Sequence, residues 1–354
     1  MIIRVLIAVV LAVPAYFYTM RYNIHMFQQN GYKNKEHLHW LKKKFRLQWI
    51  LYFGLALGIV TCVFPYLALE IFEYLVLLVI IVVYRAMKRM NTKKKLVYTA
   101  RVKRLLATEL VFTAAVFALV CGLGGIPGLC LILVSMNLFL DIVANVINHP
   151  MEAGINQHYI NDAVRKLKSV PGLTVIGVTG SYGKTSVKFY LQTLLQEKYN
   201  VLVTPESFNT PMGVVRTIRG SLKPTTEIFV CEMGARHVGD IKEICDMVHP
   251  DHGVITSIGP QHLETFFNME NIQKTKFELA DALPEGGMLF LNGDNDYIQQ
   301  QAASPAYDQT PEKIFYYSET EGTGYCAKDV KVSQLGTEFT VVTPGGESER
   351  FQMR

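Results

Sequence analysis

Hydrophobic positions fill the first 150 residues in long runs; after that they come in short bursts set among polar, periodic stretches. Five apolar runs stand out, at roughly 2–20, 49–69, 71–87, 105–122 and 128–147. A helix needs about 20 apolar residues to cross a bilayer, and about 17 at the least, so four runs qualify and 105–122 is marginal. Two basic stretches separate them. Residues 21–48 carry Arg21, Lys33, Lys35, Lys42, Lys43, Lys44 and Arg46. Residues 85–104 carry Arg85, Lys88, Arg89, Lys93, Lys94, Lys95, Arg101, Lys103 and Arg104. Positive charge favours the cytoplasmic side, which puts both stretches inside. The N-terminus and the short connections, Glu70–Glu73 and the Gly/Pro-rich 122–128, then face outward. Five crossings return the chain to the cytoplasm just before residue 150. Glu109 and Asp141 lie near run ends, so no buried charge cluster of a transporter is expected. The region reads as a multi-pass membrane anchor with its basic loops in the cytoplasm, and a lipid-facing role stays open. Two alternatives stay open. Arg4 followed by Val13-Pro14-Ala15 also suits a cleaved signal peptide, and the basic loops could bind anionic head groups.

Composition sharpens this picture. Half of the 354 residues are hydrophobic and 18% are charged, too apolar for an ordinary soluble enzyme or a disordered chain. The net charge of +5 hides a split: residues 1–150 hold 17 Lys and Arg against 5 Asp and Glu, and residues 151–354 hold 18 against 25. The basic half is the apolar half, which argues for a membrane partner and against nucleic acid. Six cysteines form no Cys-x-x-Cys pair, and Cys62, Cys121 and Cys130 sit in apolar runs, so neither a disulfide framework nor a zinc site is expected.

Beyond Pro150, residues 151–169 read as an amphipathic connecting helix, broken by Pro171-Gly172. Strand-like bursts follow at 173–178, 201–204, 228–234, 253–259 and 287–294, with helical stretches from 184 to about 198, at 238–248 and at 270–283. Residues 312–354 give short strand signals and turns. Strands alternating with helices predict an α/β domain over 171–354 with a mostly parallel sheet.

The densest chemistry lies between the first strand and helix, in Thr179-Gly180-Ser181-Tyr182-Gly183-Lys184-Thr185-Ser186. Two glycines let the backbone curl around phosphate oxygens, and a following helix offers free N–H groups and its positive end. Lys184 would reach the β- and γ-phosphates and Thr185 would bind Mg²⁺, although Val178 stands where a strict P-loop has its first glycine. Glu232 ends a hydrophobic strand, where a carboxylate can hold Mg²⁺ or simply meet solvent.

These residues resemble the Mur ligases. The segments 179–186, 207–214, 231–241, 257–266, 274–287 and 292–296 occur in that family's order and spacing over about residues 170–354. The resemblance implies a P-loop, Mur-ligase-like central domain that binds ATP and Mg²⁺. It implies ATP-dependent amide-bond formation through an acyl phosphate in peptidoglycan or related envelope synthesis. Lys184 serves the transfer; Thr185 and Glu232 hold one Mg²⁺; His262 and a carbamylated Lys276 hold the second. Asn209 and Thr210 fall in the substrate-side loop. On the residues alone, Asn209 and Thr210 are equally turn formers, and Lys276 reads rather as an exposed helix lysine paired with Glu278 or Asp281. Lys274 could be mistaken for it. Asn292 and Asp294 end a strand, near the nucleotide or in a plain turn. His237, His249 and His252 are read as structural.

Membrane runs stand where the family carries its UDP-binding domain, and nothing in the chain matches its C-terminal domain. The partners expected are the bilayer, a carboxylate-bearing wall precursor, an amine donor and a separate chain supplying that domain. A lipid-linked or polymeric acceptor suits the anchor better than a soluble UDP-linked one. The competing readings are a non-catalytic nucleotide-binding membrane scaffold and one half of a split ligase. A transporter ATPase lacks its LSGGQ-like signature here.

Overall fold

A computed structural model describes residues 2–87, 95–120, 125–304, 314–319, 324–334 and 336–353. Lys88, Arg89, Lys93, Lys94 and Cys121, which figure in the sequence reading, lie outside the described residues, as do residues 122–124 of the expected outer turn. The chain divides into two compact units, Met1–Ile155 and Asn156–Arg354.

The first unit is helical: α1 (Ile2–Gln29), α2 (Asn34–Lys43), α3 (Phe45–Val63), α4 (Leu67–Met87), α5 (Ala100–Val120), α6 (Ile126–Ser135) and the start of α7 (Asn137–Lys168). Small residues set its closest approach. A Cβ on Gly58 would lie 2.8 Å from the Gly128 carbonyl, and one on Gly128 would lie 2.7 Å from that of Gly58, so α3 and α6 meet backbone to backbone. Ala8, Ala12 and Ala15 line the buried face of α1. Large apolar residues such as Leu6, Val10, Val82, Val111 and Leu119 point outward.

Among the described residues α1 and α4 are long and apolar enough to cross a membrane, and up to four spans result if two bent helix pairs each count as one. The expected run 128–147 is one of those bent pairs, turning by 66° between α6 and α7. The expected turn at Glu70–Glu73 is misplaced. The chain turns at Phe64–Tyr66, next to Pro65, and both glutamates lie inside α4. The 21–48 stretch is largely helical, because α1 continues to Gln29. The reading of Glu109 and Asp141 also needs correction. They are 2% and 1% exposed, beside a buried polar seam in which Asn137 donates to Thr19 and Asn23 donates to the Asn137 carbonyl. Run ends in sequence are interior here because α5 and α7 extend past the apolar runs and pack on other helices.

α7 continues through Pro150 to Lys168, so the connecting helix begins earlier than the composition change suggests. The second unit then follows as β1 (Thr174–Thr179), α8 (Lys184–Leu195), β2 (Val201–Val203), α9 (Pro211–Ser221), β3 (Ile228–Glu232), α10 (Asp240–Val248), β4 (His252–Ile255), α11 (Leu263–Phe266), α12 (Met269–Asp281), β5 (Met288–Asn292), α13 (Asp296–Ala302), β6 (Ile314–Ser318), β7 (Tyr325–Ser333), β8 (Gly336–Val342) and β9 (Ser348–Met353). The sheet order is β2-β3-β1-β4-β5-β6-β7-β8-β9. Pairings from β2 to β7 are parallel and the last two are antiparallel. The predicted mostly parallel α/β sheet is therefore present.

Both faces of the parallel strands are covered. Val178, Val230 and Val254 pack with Val187 and Leu191 of α8, while Phe229 and Cys231 pack with Val214, Ile218, Ile241 and Ile244 of α9 and α10. α12 seats closely because β1 and β4 carry glycine beneath it. A Cβ on Gly177 would fall 2.6 Å from Leu279 Cδ1, and one on Gly253 3.1 Å from Leu279 Cγ. Order reverses around β1, and open α/β sheets bind ligands at the carboxyl ends of such strands.

Candidate active site

The glycine-rich loop leaves the carboxyl end of β1 and is strapped to the loop after β4. Ser181 N–H donates to the Ser257 carbonyl at 2.6 Å, Thr256 Oγ1 donates to the Tyr182 carbonyl at 2.6 Å, and Gly259 N–H donates to Ser181 Oγ at 3.1 Å. Gly180 is irreplaceable in this geometry: its φ is +150°, and a Cβ would sit 2.1 Å from Thr256 Oγ1. Thr179 donates to the Met233 carbonyl, tying the loop's start to the end of β3. Gly183, at φ +80°, turns the chain into α8 with no side-chain cap. The first-turn N–H groups of Lys184, Thr185 and Ser186 thus point out of the helix end, which favours an anion.

Lys184 curls back over this loop. Its ammonium donates to the carbonyls of Gly180 at 2.6 Å and Ser181 at 3.1 Å. Burial lowers its pKa, and the Glu232 charge partly opposes that. Thr185 Oγ1 stands 3.2 and 3.1 Å from the two oxygens of Glu232. Glu232 is 1% exposed, so its solvated alternative is excluded. Burying a carboxylate requires partners, and two residues besides Thr185 supply them. Lys188 Nζ lies 2.9 Å from Glu232 Oε2, and Asn209 Nδ2 lies 3.0 Å from Oε1.

Asn209, expected beside the substrate, therefore turns inward to the carboxylate, and Thr210 caps α9 by accepting from Gly213 N–H. Lys188 was not singled out in the sequence. The signal was present in its spacing: four residues past Lys184, it falls on the same helix face one turn deeper.

A second group forms around α12. Lys276 is 2% exposed, whereas Lys274 is on the surface, paired with Glu270 at 2.8 Å. The Lys276 ammonium donates no hydrogen bond among the described residues. Its expected alternative partner Glu278 is committed elsewhere, accepting the N–H groups of Gly239 and Lys242 at 2.7 and 2.9 Å. Burial, assisted by the Lys184 charge, lowers the Lys276 pKa to about 7. His262 stands at the start of α11 with φ +56°. Burial and the charges of Arg236, Lys276 and Lys184 lower its pKa, so the neutral imidazole is favoured. Asn292 donates to the Thr256 carbonyl and Asp294 accepts from Glu319 N–H, which gives both a structural task. His252 accepts from Met288 N–H, and His249 ends α10.

The donor set allows a test of fit to magnesium. Thr185 and Glu232 offer a hydroxyl and a carboxylate, the hard oxygens such an ion takes. His262 and Lys276 do not fit as they stand, because His262 faces the cations Lys276, Arg236 and Lys184. Converting the Lys276 amine into an anionic oxygen donor would remove that conflict. Among the described residues there is no cluster of three His, Cys, Asp or Glu.

Sequence comparison decides the family. The Mur ligase middle domain profile matches residues 178–354, half of the chain. The chain belongs to the Mur ligase family. This Mur ligase is 30% identical over 213 residues to the UDP-N-acetylmuramoyl-tripeptide–D-alanyl-D-alanine ligase of Escherichia coli, covering 57% of the chain and 46% of that protein. It is 36% identical over 174 residues to the Bacillus subtilis protein of the same name, covering 48% of the chain and 35% of that protein. The chain thus spans less than half the length of these relatives. A MurF crystal structure from Acinetobacter baumannii superposes with a TM-score of 0.50 at 24% identity, over 56% of this chain and 42% of that one, and shares the fold.

Proposed function

We propose that this Mur ligase is an ATP-dependent acid–amino-acid ligase of cell-envelope synthesis, anchored in the bacterial cytoplasmic membrane by its first unit. The observation that carries the reading is the Lys184–Thr185–Glu232 constellation, where the uncapped first turn of α8 meets the end of β3 and favours an anion. The relatives' names support a muramoyl-peptide carboxylate as acceptor and D-alanyl-D-alanine as amine. The apolar helices of the first unit support an acceptor presented at the membrane, lipid-linked or polymeric.

In this reading an acceptor carboxylate oxygen attacks the γ-phosphorus of ATP, and ADP leaves. The amine then attacks the acyl carbon, inorganic phosphate departs and the amine loses a proton. Lys184 and the α8 N-terminus neutralise the transferring phosphoryl group. Thr185 and Glu232 would hold one Mg²⁺, and His262 with Lys276 a second; bound there, the ions would stabilise charge on the phosphates and the acceptor carboxylate. A pKa near 7 leaves much of Lys276 as free amine at neutral pH. That amine can attack CO₂, forming an N–C bond and releasing a proton, and the product is the anionic oxygen donor the site needs.

The test uses the full chain in detergent with ATP, Mg²⁺ and bicarbonate. We expect a thermal shift with ATP that Lys184→Ala removes, and phosphate release that requires both a muramoyl-peptide acceptor and an amine. Comparing UDP-linked with lipid-linked acceptor identifies the form used. Nucleotide binding with no turnover in any mixture would contradict the ligase reading and favour a scaffold or half-enzyme.

A further inference from the structure

We infer that Lys188 is a resident counter-ion of the cation site: it neutralises Glu232 when no divalent ion is bound and competes with the ion when one arrives. Lys188 is 0% exposed, on the buried face of α8 three residues beyond Thr185. Its ammonium donates to Glu232 Oε2 at 2.9 Å and the Glu206 carbonyl at 2.5 Å, and lies 4.6 Å from the Phe189 ring centroid. Glu206 is held at φ +45°, in the loop that also delivers Asn209 to the other carboxylate oxygen. One lysine therefore joins the phosphate-loop helix, the end of β3 and the loop after β2.

The consequence follows from charge. A buried carboxylate without a partner is strongly destabilising, and Lys188 prevents that state. The pair is close to neutral, so an incoming divalent ion meets far less attraction than a bare carboxylate would offer. The ion must also draw Glu232 from the ammonium. Metal affinity is thereby set low while the carboxylate stays pointed at Thr185. The identity of the ion rests on the proposed function; the Lys188–Glu232 coupling does not.

The test is a double-mutant cycle on the full chain with Mn²⁺ as probe. Thermal denaturation is followed without metal, and Mn²⁺ affinity by electron paramagnetic resonance. Lys188→Met should lower the metal-free melting temperature, and Mn²⁺ should restore it. The same variant should bind Mn²⁺ about tenfold or more tightly than the wild type. Lys188→Met with Glu232→Gln should recover metal-free stability and lose the added affinity, and Lys188→Arg should stay near wild type. Unchanged or weaker Mn²⁺ binding by Lys188→Met, or additive stability effects in the cycle, would overturn the inference. If Lys188→Met alone cannot be recovered folded, recovery of the double variant supports it, and failure of both overturns it. Coupling retained in a protein that never turns over would sink the ligase reading and leave Lys188 its role.

Discussion

At the scale of single residues, chemistry depends on which groups are denied water. Lys274 and Lys276 are two positions apart on one helix and could not be told apart by type or spacing. Burial separates them, because α12 turns the second onto the sheet and the first to solvent. This gives a pH prediction. The Lys276 amine has a folded pKa of about 7, below its ordinary 10.5. The unfolded chain therefore binds more protons between these values, and stability should rise with pH from about 7 towards 10.5. Lys276→Met should flatten that slope, as measured by denaturant melts across the range. Lys184→Ala should weaken ATP binding by about 2–5 kcal/mol, roughly 30-fold to several thousand-fold, in calorimetric titration. Glu232 was legible because it ends an apolar strand. Lys188 carried only its four-residue spacing from Lys184, and a lysine inside an amphipathic helix looks like any solvated one until the fold shows what it faces.

At the scale of elements, the pattern of short apolar bursts was enough to place β1 to β5, α10 and α12 to within a few residues. It missed α9, α11 and α13. α11 is a single turn that begins at a residue with positive φ, and α13 is seven residues long, so neither offers a repeating apolar face. In the first unit the pattern was less reliable. Continuous apolar runs carry no period, so helix ends fall wherever proline, glycine or a polar contact puts them, as at Phe64–Tyr66 and Met136. The glycines make the element-scale prediction. Gly180→Ala forces a Cβ against Thr256 in a backbone conformation that alanine rarely adopts. It should cost about 1–3 kcal/mol in thermal melts and abolish the ATP-induced shift. Gly220→Ala, in open space on α9, should leave the ATP-induced shift unchanged and raise stability by up to about 1 kcal/mol.

At the scale of the whole molecule, the split in charge and hydropathy along the chain was visible from the start, and the division near Ile155 follows it. What the sequence hid was the polar interior of the helical unit. Glu109, Asp141, Asn23 and Asn137 are buried because long helices cover them, and no run of apolar letters records that. The apolar outward faces of the same unit make a cellular prediction. The protein should sediment with membranes and resist extraction by alkaline carbonate, and release into the wash would contradict the anchor. The measurement that tests the central claim most directly follows oxygen. The acceptor carboxylate is labelled with ¹⁸O, and the phosphate released during turnover with ATP and amine is analysed by mass spectrometry. Transfer through an acyl phosphate predicts one ¹⁸O in each inorganic phosphate, equimolar with amide and ADP. Unlabelled phosphate, or AMP and pyrophosphate in place of ADP, would contradict it.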